Sequence, residues 1–318
     1  APVAICQNLT VELDVTGNAT ITAAQIDNGS NDACGIASFM ASQTVFDCSN
    51  VGLNVITLTV TDNNGNTSTC TSDVTVEDNI APTAICQNIT VQLDATGNAT
   101  ITAAQIDNGS NDACGIASLT ASQTSFSCSN VGLNVITLTV TDNNGNTSTC
   151  TSDVTVEDNI APVAICQDLT VQLDATGNAS IVAAQINNGS DDACGVALIS
   201  ASQTAFDCSD LGANTVTLTV TDVNGNTSTC TATVTVEDNL IPTISCPAAI
   251  VVDTDPGVCE AVVALASPIT NDNCSVTVTN NAPAAFPIGS TTVTWTVTDL
   301  AGNSASCTQL VTVEDNEA

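Results

Sequence analysis

Asn54 to Asn66 reads NVITLTVTDNNGN. Ile56, Leu58 and Val60 fall on one side of an extended chain and Thr57, Thr59 and Thr61 on the other. That is the period-two pattern of a strand with one face on a core. DNNGN then supplies a Gly suited to positive φ, so a type I′ or related turn is expected at Asp62–Asn66. The return run carries Cys70, Val74 and Val76 at one parity, which completes a β-hairpin. Upstream, Leu9, Val11 and Leu13 share a parity, TGN at Thr16–Asn18 marks a turn, and Ala19–Gln25 reads as a further run. Shorter segments around Ile36–Met40 and Gln43–Phe46 bring the total to about seven strands. No helical period of useful length appears. The expectation is an all-β fold, a small antiparallel β-sandwich.

This pattern occurs four times. VEDNIAP at Val76–Pro82 returns at Val156–Pro162, as VEDNLIP at Val236–Pro242, and as VEDNEA from Val313. The chain of 318 residues therefore divides into repeats at 1–80, 81–160, 161–240 and 241–318. The first two differ at only eight positions, so little in either is unique to it. Units this small gain from covalent staples. Trp295, the single Trp, lies on the fourth-repeat equivalent of the Ile56–Val60 strand and is expected in the core.

There are 33 acidic residues and no Lys, Arg or His. Nothing can neutralise a phosphate directly, so nucleic acid, acidic lipid and phosphorylated ligands are poor partners, and no nucleic-acid partner is expected. At 43% hydrophobic residues and a mean hydropathy of +0.27, the chain is too apolar to be read as disordered. No run of 18 apolar residues and no signal peptide is present, so the segment is not membrane-embedded and is read as part of something longer.

Sixteen cysteines, four per repeat, indicate disulfides and an oxidising, extracellular compartment. Without a CxxC pair or a His, zinc is poorly supported. Four cysteines allow three pairings. Comparing repeats narrows them, because Cys48 has no fourth-repeat counterpart near Pro287 and Ile288, while Cys259 falls where the first repeat has Ala19. The simplest account keeps one pair fixed: Cys6–Cys70, Cys86–Cys150, Cys166–Cys230 and Cys246–Cys307. A local pair then varies: Cys34–Cys48, Cys114–Cys128, Cys194–Cys208 and, in the fourth repeat, Cys259–Cys274. A nucleophilic thiol would want a cationic or basic neighbour, and the composition supplies none.

The acids cluster in recurring places. The junction pairs are Glu77–Asp78, Glu157–Asp158 and Glu237–Asp238. The Asp before the second cysteine is Asp32, Asp112, Asp192 or Asp272. The Asp opening the hairpin turn is Asp62, Asp142, Asp222 or Asp299. Oxygen donors without nitrogen or sulfur suit Ca²⁺. DNNGN alternates oxygens like the start of an EF loop, but the rest of that loop and its bidentate Glu are missing, so as an EF-hand it fails. The linker between repeats is short, which brings loops of both repeats near the junction pair. A structural Ca²⁺ at this seam is the expectation, against a solvated acidic linker stiffened by Pro82. No nucleophile, cleft or sugar-binding aromatic platform accompanies the acids, so no enzyme is expected.

A family likeness rests on these residues. APVAIC opens the first repeat, NDAC stands at Asn31–Cys34, TVTDNNGN at Thr59–Asn66, and VTVED at Val74–Asp78. In the fourth repeat ISCP at Ile244–Pro247, NDNCS at Asn271–Ser275 and FPIGSTTVTWTVTD at Phe286–Asp299 lead into AGN at Ala301–Asn303. The chain resembles tandem hyalin repeats (HYR domains), and its first three repeats depart toward the HYR-like arrays of large secreted bacterial surface proteins. The resemblance implies an immunoglobulin-like fold, extracellular adhesion and no catalysis. The function expected is a rigid, non-enzymatic stalk or fibre segment, with neighbouring repeats as the first partners. Its rivals are a self-assembling filament of copies of the chain and a module binding cell-surface glycans or proteins. Sequons such as Asn18-Ala-Thr permit glycosylation only in a host that performs it.

Overall fold

The computed structural model describes residues 1–316 and divides into two compact units, Ala1–Asn159 and one beginning at Ile160. Each unit holds the strand pattern twice. In the first copy it comprises β1 (Leu9–Glu12), β2 (Asn18–Thr20), β3 (Ile36–Ala41), β4 (Val45–Asp47), β5 (Gly52–Asp62) and β6 (Thr67–Glu77). One sheet runs β1-β6-β5-β3, and β2 pairs with β4 in a smaller second sheet. Bridges Val3↔Asn31 and Cys6↔Asp27 extend the framework. The sandwich is thus immunoglobulin-like and all-β, with one departure from the expected pattern. β1 lies parallel to β6, Leu9 opposite Val74 and Glu12 opposite Glu77, while the other pairings are antiparallel.

The core follows the parity read from NVITLTVT. Ile56, Leu58 and Val60 are at most 2% exposed, and Val74 and Val76 meet them from β6. Leu13, Ile21, Ile26 and Phe46 close the core from the other layer. Asp62 continues the same inward parity, which is why this carboxylate is buried.

The expected strand Ala19–Gln25 is cut short. It ends at Thr20, and Ala23–Gln25 forms one helical turn, because Gln25 Oε1 accepts from the Thr22 amide at 2.7 Å. The hairpin turn is not type I′ either. Only glycines have positive φ among the described residues, so Asn64 does not take the left-handed region that type I′ requires. Gly65 N donates to Asp62 O, and Asp62 N to Asn66 O, which is a tight turn followed by a left-handed Gly at φ 87°.

In the second unit, the first copy repeats this plan with Leu169–Gln172, Gly212–Asp222 and Thr227–Glu237 in its larger sheet with Val196–Ala201. The other copy builds the sheet from Ile250–Asp253, Ser304–Glu314, Gly289–Asp299 and Val276–Asn280. Trp295 lies in this last core at 5% exposure, and its indole N–H donates to Gln309 Oε1 at 3.1 Å. Gln309 in turn donates to Ala248 O, so the ring's one polar atom is satisfied through a buried link to the first segment. Ser72 does the same work in the first repeat, its hydroxyl donating to Gln7 O at 2.6 Å.

Candidate metal centre and the joint between repeats

Four disulfides tie the opening segment of a repeat to its last strand: Cys6–Cys70, Cys86–Cys150, Cys166–Cys230 and Cys246–Cys307. The local bridges are not formed. Cys48 bonds Cys114, and Cys208 bonds Cys274, each reaching from one repeat into the next within its unit. The expected pairs Cys34–Cys48, Cys114–Cys128, Cys194–Cys208 and Cys259–Cys274 are therefore replaced. Cys128 and Cys194 are also disulfide-bonded, neither to its expected partner. Cys34 and Cys259 are exposed free thiols. The reason is position. Cys48 stands just beyond β4 at one end of its sandwich, beside Gly17, and the turn bearing Cys114 packs onto that end. A Cβ on Gly17 would lie 2.7 Å from Cys48 Sγ and 3.2 Å from Ala113 Cβ.

The same end of the repeat carries the junction acid. In the first unit Asn146, the last residue of the second repeat's hairpin turn, donates through Nδ2 to Asp78 O at 2.9 Å and to Asp142 Oδ2 at 2.9 Å. In the second unit Asn303 donates to Asp238 O and to Asp299 Oδ2, both at 2.8 Å. Asn273 adds a bond to Asp238 Oδ1 at 3.2 Å and another to Asp174 O. These asparagines were missed as joint residues. For Asn146 and Asn303 the signal was the Asn ending the hairpin turn of every repeat, read there only as turn chemistry; Asn273 stands where the other repeats have Ala33, Ala113 and Ala193, so no recurrence marked it.

The junction pair splits by strand parity. Glu77 faces outward opposite Glu12, and Glu237 outward opposite Gln172, whose amide it accepts at 2.6 Å. Glu157 likewise accepts from Gln92. Asp78 and Asp238 turn inward, at 7% and 3% exposure. Carboxylate oxygens of Asp238, Asp272 and Asp299 all lie within 4.8 Å of one another, and Asp78, Asp112 and Cys114 form a similar group. Cys114 is in a disulfide and offers no thiolate, so the second group reduces to two carboxylates. Asp238 Oδ2 and Asp78 Oδ2 are buried without a hydrogen-bond partner. An open pocket of about 400 Å³ lined by Asp238, Asn239, Leu300 and Asn303 reaches the first group.

The remaining acids are held by their own turns. Asp62 Oδ1 accepts from the Asn64 and Asn66 amides and Oδ2 from Asn66 Nδ2. The Asn66 side chain foremost holds the Asp62 carboxyl below the usual range, with the amides and then the amino terminus adding to the pull against desolvation. Asp142 and Asp222 have the same partners. Burial pushes Asp222 up, but bonds from Asn226 and the turn amides outweigh it and its carboxyl is lowered. Asp32, Asp112 and Asp192 each accept the amide of the cysteine two residues on. Asp158 is buried at the end of its strand.

Fold and site together define a class, an all-β, disulfide-stapled extracellular repeat whose copies are joined covalently. Residues 237–313 match the HYR domain family model. Over 280 residues the chain is 30% identical to hyalin of Strongylocentrotus purpuratus, an alignment covering 83% of this chain and 23% of hyalin. The chain thus spans less than a quarter of that relative's length. These matches support HYR-like repeats, and the relative being a sea urchin protein lends the bacterial expectation no support. Among solved structures, cadherin domains 1–4 of protocadherin gamma B7 align at 13% identity and TM-score 0.33, over 97% of this chain and all of that one. Sidekick-1 immunoglobulin domains 1–4 align at 9% identity and TM-score 0.31, over 99% of each chain. Likenesses this distant carry nothing about function.

Among the described residues no helix is long and apolar enough to cross a membrane.

Proposed function

We propose that this chain is a non-catalytic structural segment of an extracellular adhesion-type protein, in which repeats are locked to one another and Ca²⁺ stiffens the joints. Each copy of the pattern is one domain, at 1–80, 81–160, 161–240 and 241–318; the last two positions of the fourth lie outside the described residues. The observation that carries the reading is the covalent joint: Cys48–Cys114 and Cys208–Cys274 tie neighbours whose linker is already short. A segment built to bend at its linkers would not carry them.

Calcium is supported by the charge balance. Asp238 Oδ2 is buried and unpartnered beside Asp272 and Asp299, in a chain with no Lys, Arg or His to compensate it. A buried carboxylate without a partner is costly, and a hard cation with oxygen ligands removes the cost. Asp238, Asp272 and Asp299 would hold it, with Asn273 Oδ1, also buried and unpartnered, as a further oxygen nearby. The partners proposed are neighbouring repeats and other cell-surface molecules, including copies of this chain. Thermal unfolding and small-angle scattering in Ca²⁺ and in EGTA test the reading. A higher melting temperature and an unchanged or longer particle in Ca²⁺ are expected. Indifference to Ca²⁺ in both measurements would remove the metal from the proposal, and flexible joints with the bridges intact would remove the stiff segment.

A further inference from the structure

The turn after the opening sheet strand recurs in every repeat, and the fourth repeat builds it differently. In the first three it begins at Asp14, Asp94 or Asp174, followed by Val15, Ala95 or Ala175. Oδ1 of each Asp accepts from the hydroxyl and amide of the Thr two residues on and from the amide of the Asn four residues on. That carboxylate is tied down. The fourth repeat reads DPGVCE at Asp255–Glu260. Backbone bonds match the positions: Leu13 N donates to Glu77 O and Thr254 N to Glu314 O, and the next residue is Asp14 or Asp255. Asp255–Pro256 is the one Asp-Pro step in the sequence.

The geometry of that step prepares it for attack by its own side chain. Pro256 and Gly257 are the central residues of a β-turn, with Gly257 at φ 77° and Val258 N donating to Asp255 O at 3.2 Å. Pro at the second position and a left-handed Gly at the third make it a type II turn. The Asp255 carbonyl is thereby fixed, and the amide on its oxygen draws charge from its carbon, as an oxyanion donor does. Asp255 Oδ2 accepts from Val262 N at 2.9 Å, which anchors the carboxylate by one oxygen. Among the described residues Oδ1 has no such bond, unlike Oδ1 of Asp14. The leaving nitrogen belongs to Pro256, a tertiary amide without N–H and more basic than the secondary amide of Val15 or Ala95. Pro256 and Gly257 are exposed, so water and acid reach the bond.

We propose that Asp255–Pro256 is a self-cleaving bond, cut once in mild acid, whose two pieces the disulfides keep together. Asp255 Oδ1 attacks the carbonyl carbon of its own residue and closes a cyclic anhydride. The Pro256 nitrogen takes a proton from the acid solvent, the C–N bond breaks, and Pro256 leaves as a secondary ammonium. Water then opens the anhydride to two carboxyl groups on Asp255, so each cut consumes one water. Attack needs an ionised carboxylate and departure a protonated nitrogen, so mild acid favours the cut over neutrality. The titratable groups on the elements around the turn are acids and a thiol: Asp253 before it, Cys259 and Glu260 after it, and Glu314 opposite Asp253, followed by Asp315. None is a cation, and the new Pro256 ammonium is a charge no side chain of this sequence supplies. The cut parts Ile250–Asp253 from the later strands of its sandwich. Cys208–Cys274 and Cys246–Cys307 both span it, so the pieces separate only when reduced.

The test holds the 318-residue chain at neutral pH and between roughly pH 3 and 5, where carboxylates are partly ionised, beside a short peptide of the 250–260 sequence. After acid, electrophoresis is expected to show one band without reductant and two with it. Mass spectrometry should find the mass of one added water, and the new amino terminus should read Pro-Gly-Val. The fixed turn should cut about tenfold faster than the peptide, whose Asp and carbonyl are not held. Asp255→Asn removes the nucleophile and Pro256→Ala the basic leaving nitrogen, and each should stay whole in the same acid. A chain that stays uncut would overturn the proposal. So would cutting at the peptide's rate, which would make the turn irrelevant, or a cut that persists in Pro256→Ala, which would put the chemistry elsewhere.

Discussion

Replacing Asp238 by Asn should change stability with opposite sign in the presence and absence of Ca²⁺. Asp238 faces two carboxylates, Asp272 and Asp299, with oxygens inside 4.8 Å. At the outer limit of that separation and an effective dielectric constant of 20, each like-charge pair costs about 3.5 kcal/mol before the site relaxes. Without metal, Asp238→Asn removes both repulsions and keeps an oxygen for the Asn273 and Leu240 donors that Oδ1 now serves. The variant should therefore be more stable than wild type in EGTA, by about 1–3 kcal/mol once the buried site relaxes. With Ca²⁺ at a thousand times its dissociation constant, wild type gains about 4.1 kcal/mol that a variant lacking the ligand does not, more than the variant's advantage in EGTA. The order of melting temperatures should reverse. Differential scanning calorimetry of both proteins in both buffers measures it. If the variant is less stable in EGTA as well, or wild type ignores Ca²⁺, the unpaired carboxylate is not waiting for a cation and the argument fails.

Other substitutions address the joint and the core. Gly17→Ala forces a left-handed Ala and a Cβ 2.7 Å from Cys48 Sγ; chemical denaturation should show about 1–3 kcal/mol lost, against a smaller loss for Gly29→Ala, whose φ is similar but whose surroundings are open. Ser72→Ala leaves Gln7 O without its buried donor and should cost about 1 kcal/mol, a moderate figure because the third repeat already carries Ala232 at this position. Asp62→Asn should destabilise at neutral pH, since the folded carboxyl is lowered from 3.8 by its bonds to Asn66 and the turn amides. A lowered folded value means the contribution is full above the unfolded pKa and lost as pH falls through the folded one. The difference between the two proteins, followed by denaturant melts from pH 7 to pH 2, should shrink through that window.

The long hairpin was legible because its two strands alternate without interruption over Ile56–Val60 and Val74–Val76, and the structure buries those same side chains. The parallel placement of β1 was not, because parity says which face a residue takes and nothing about the direction of its neighbour. The acids at the joint could be found by their recurrence, and period two also separates Glu77 from Asp78. What could not be read was which cysteine closes which loop. In near-identical tandem copies Cys34 and Cys114 are the same residue in local terms, so a bond from Cys48 back to its own repeat and one forward to the next leave the same pattern. Only the three-dimensional placement of Cys48 at the covered end of its sandwich decides between them.

The covalent network changes what a pull on the first unit can do. From the first residue, five residues precede Cys6, whose bridge leads to Cys70; sixteen more lead to Cys86, whose bridge leads to Cys150; nine remain to Asn159. The taut path is about 30 residues, or roughly 100 Å of extended chain, however thoroughly the sandwiches unravel. Cys48–Cys114 adds a second route across the joint, so a protease that nicks the linker there leaves both pieces attached. Such a strand behaves as a tether of fixed length that yields by bond cleavage rather than by unfolding, and reductant, more than heat or force, is what should make it stretch.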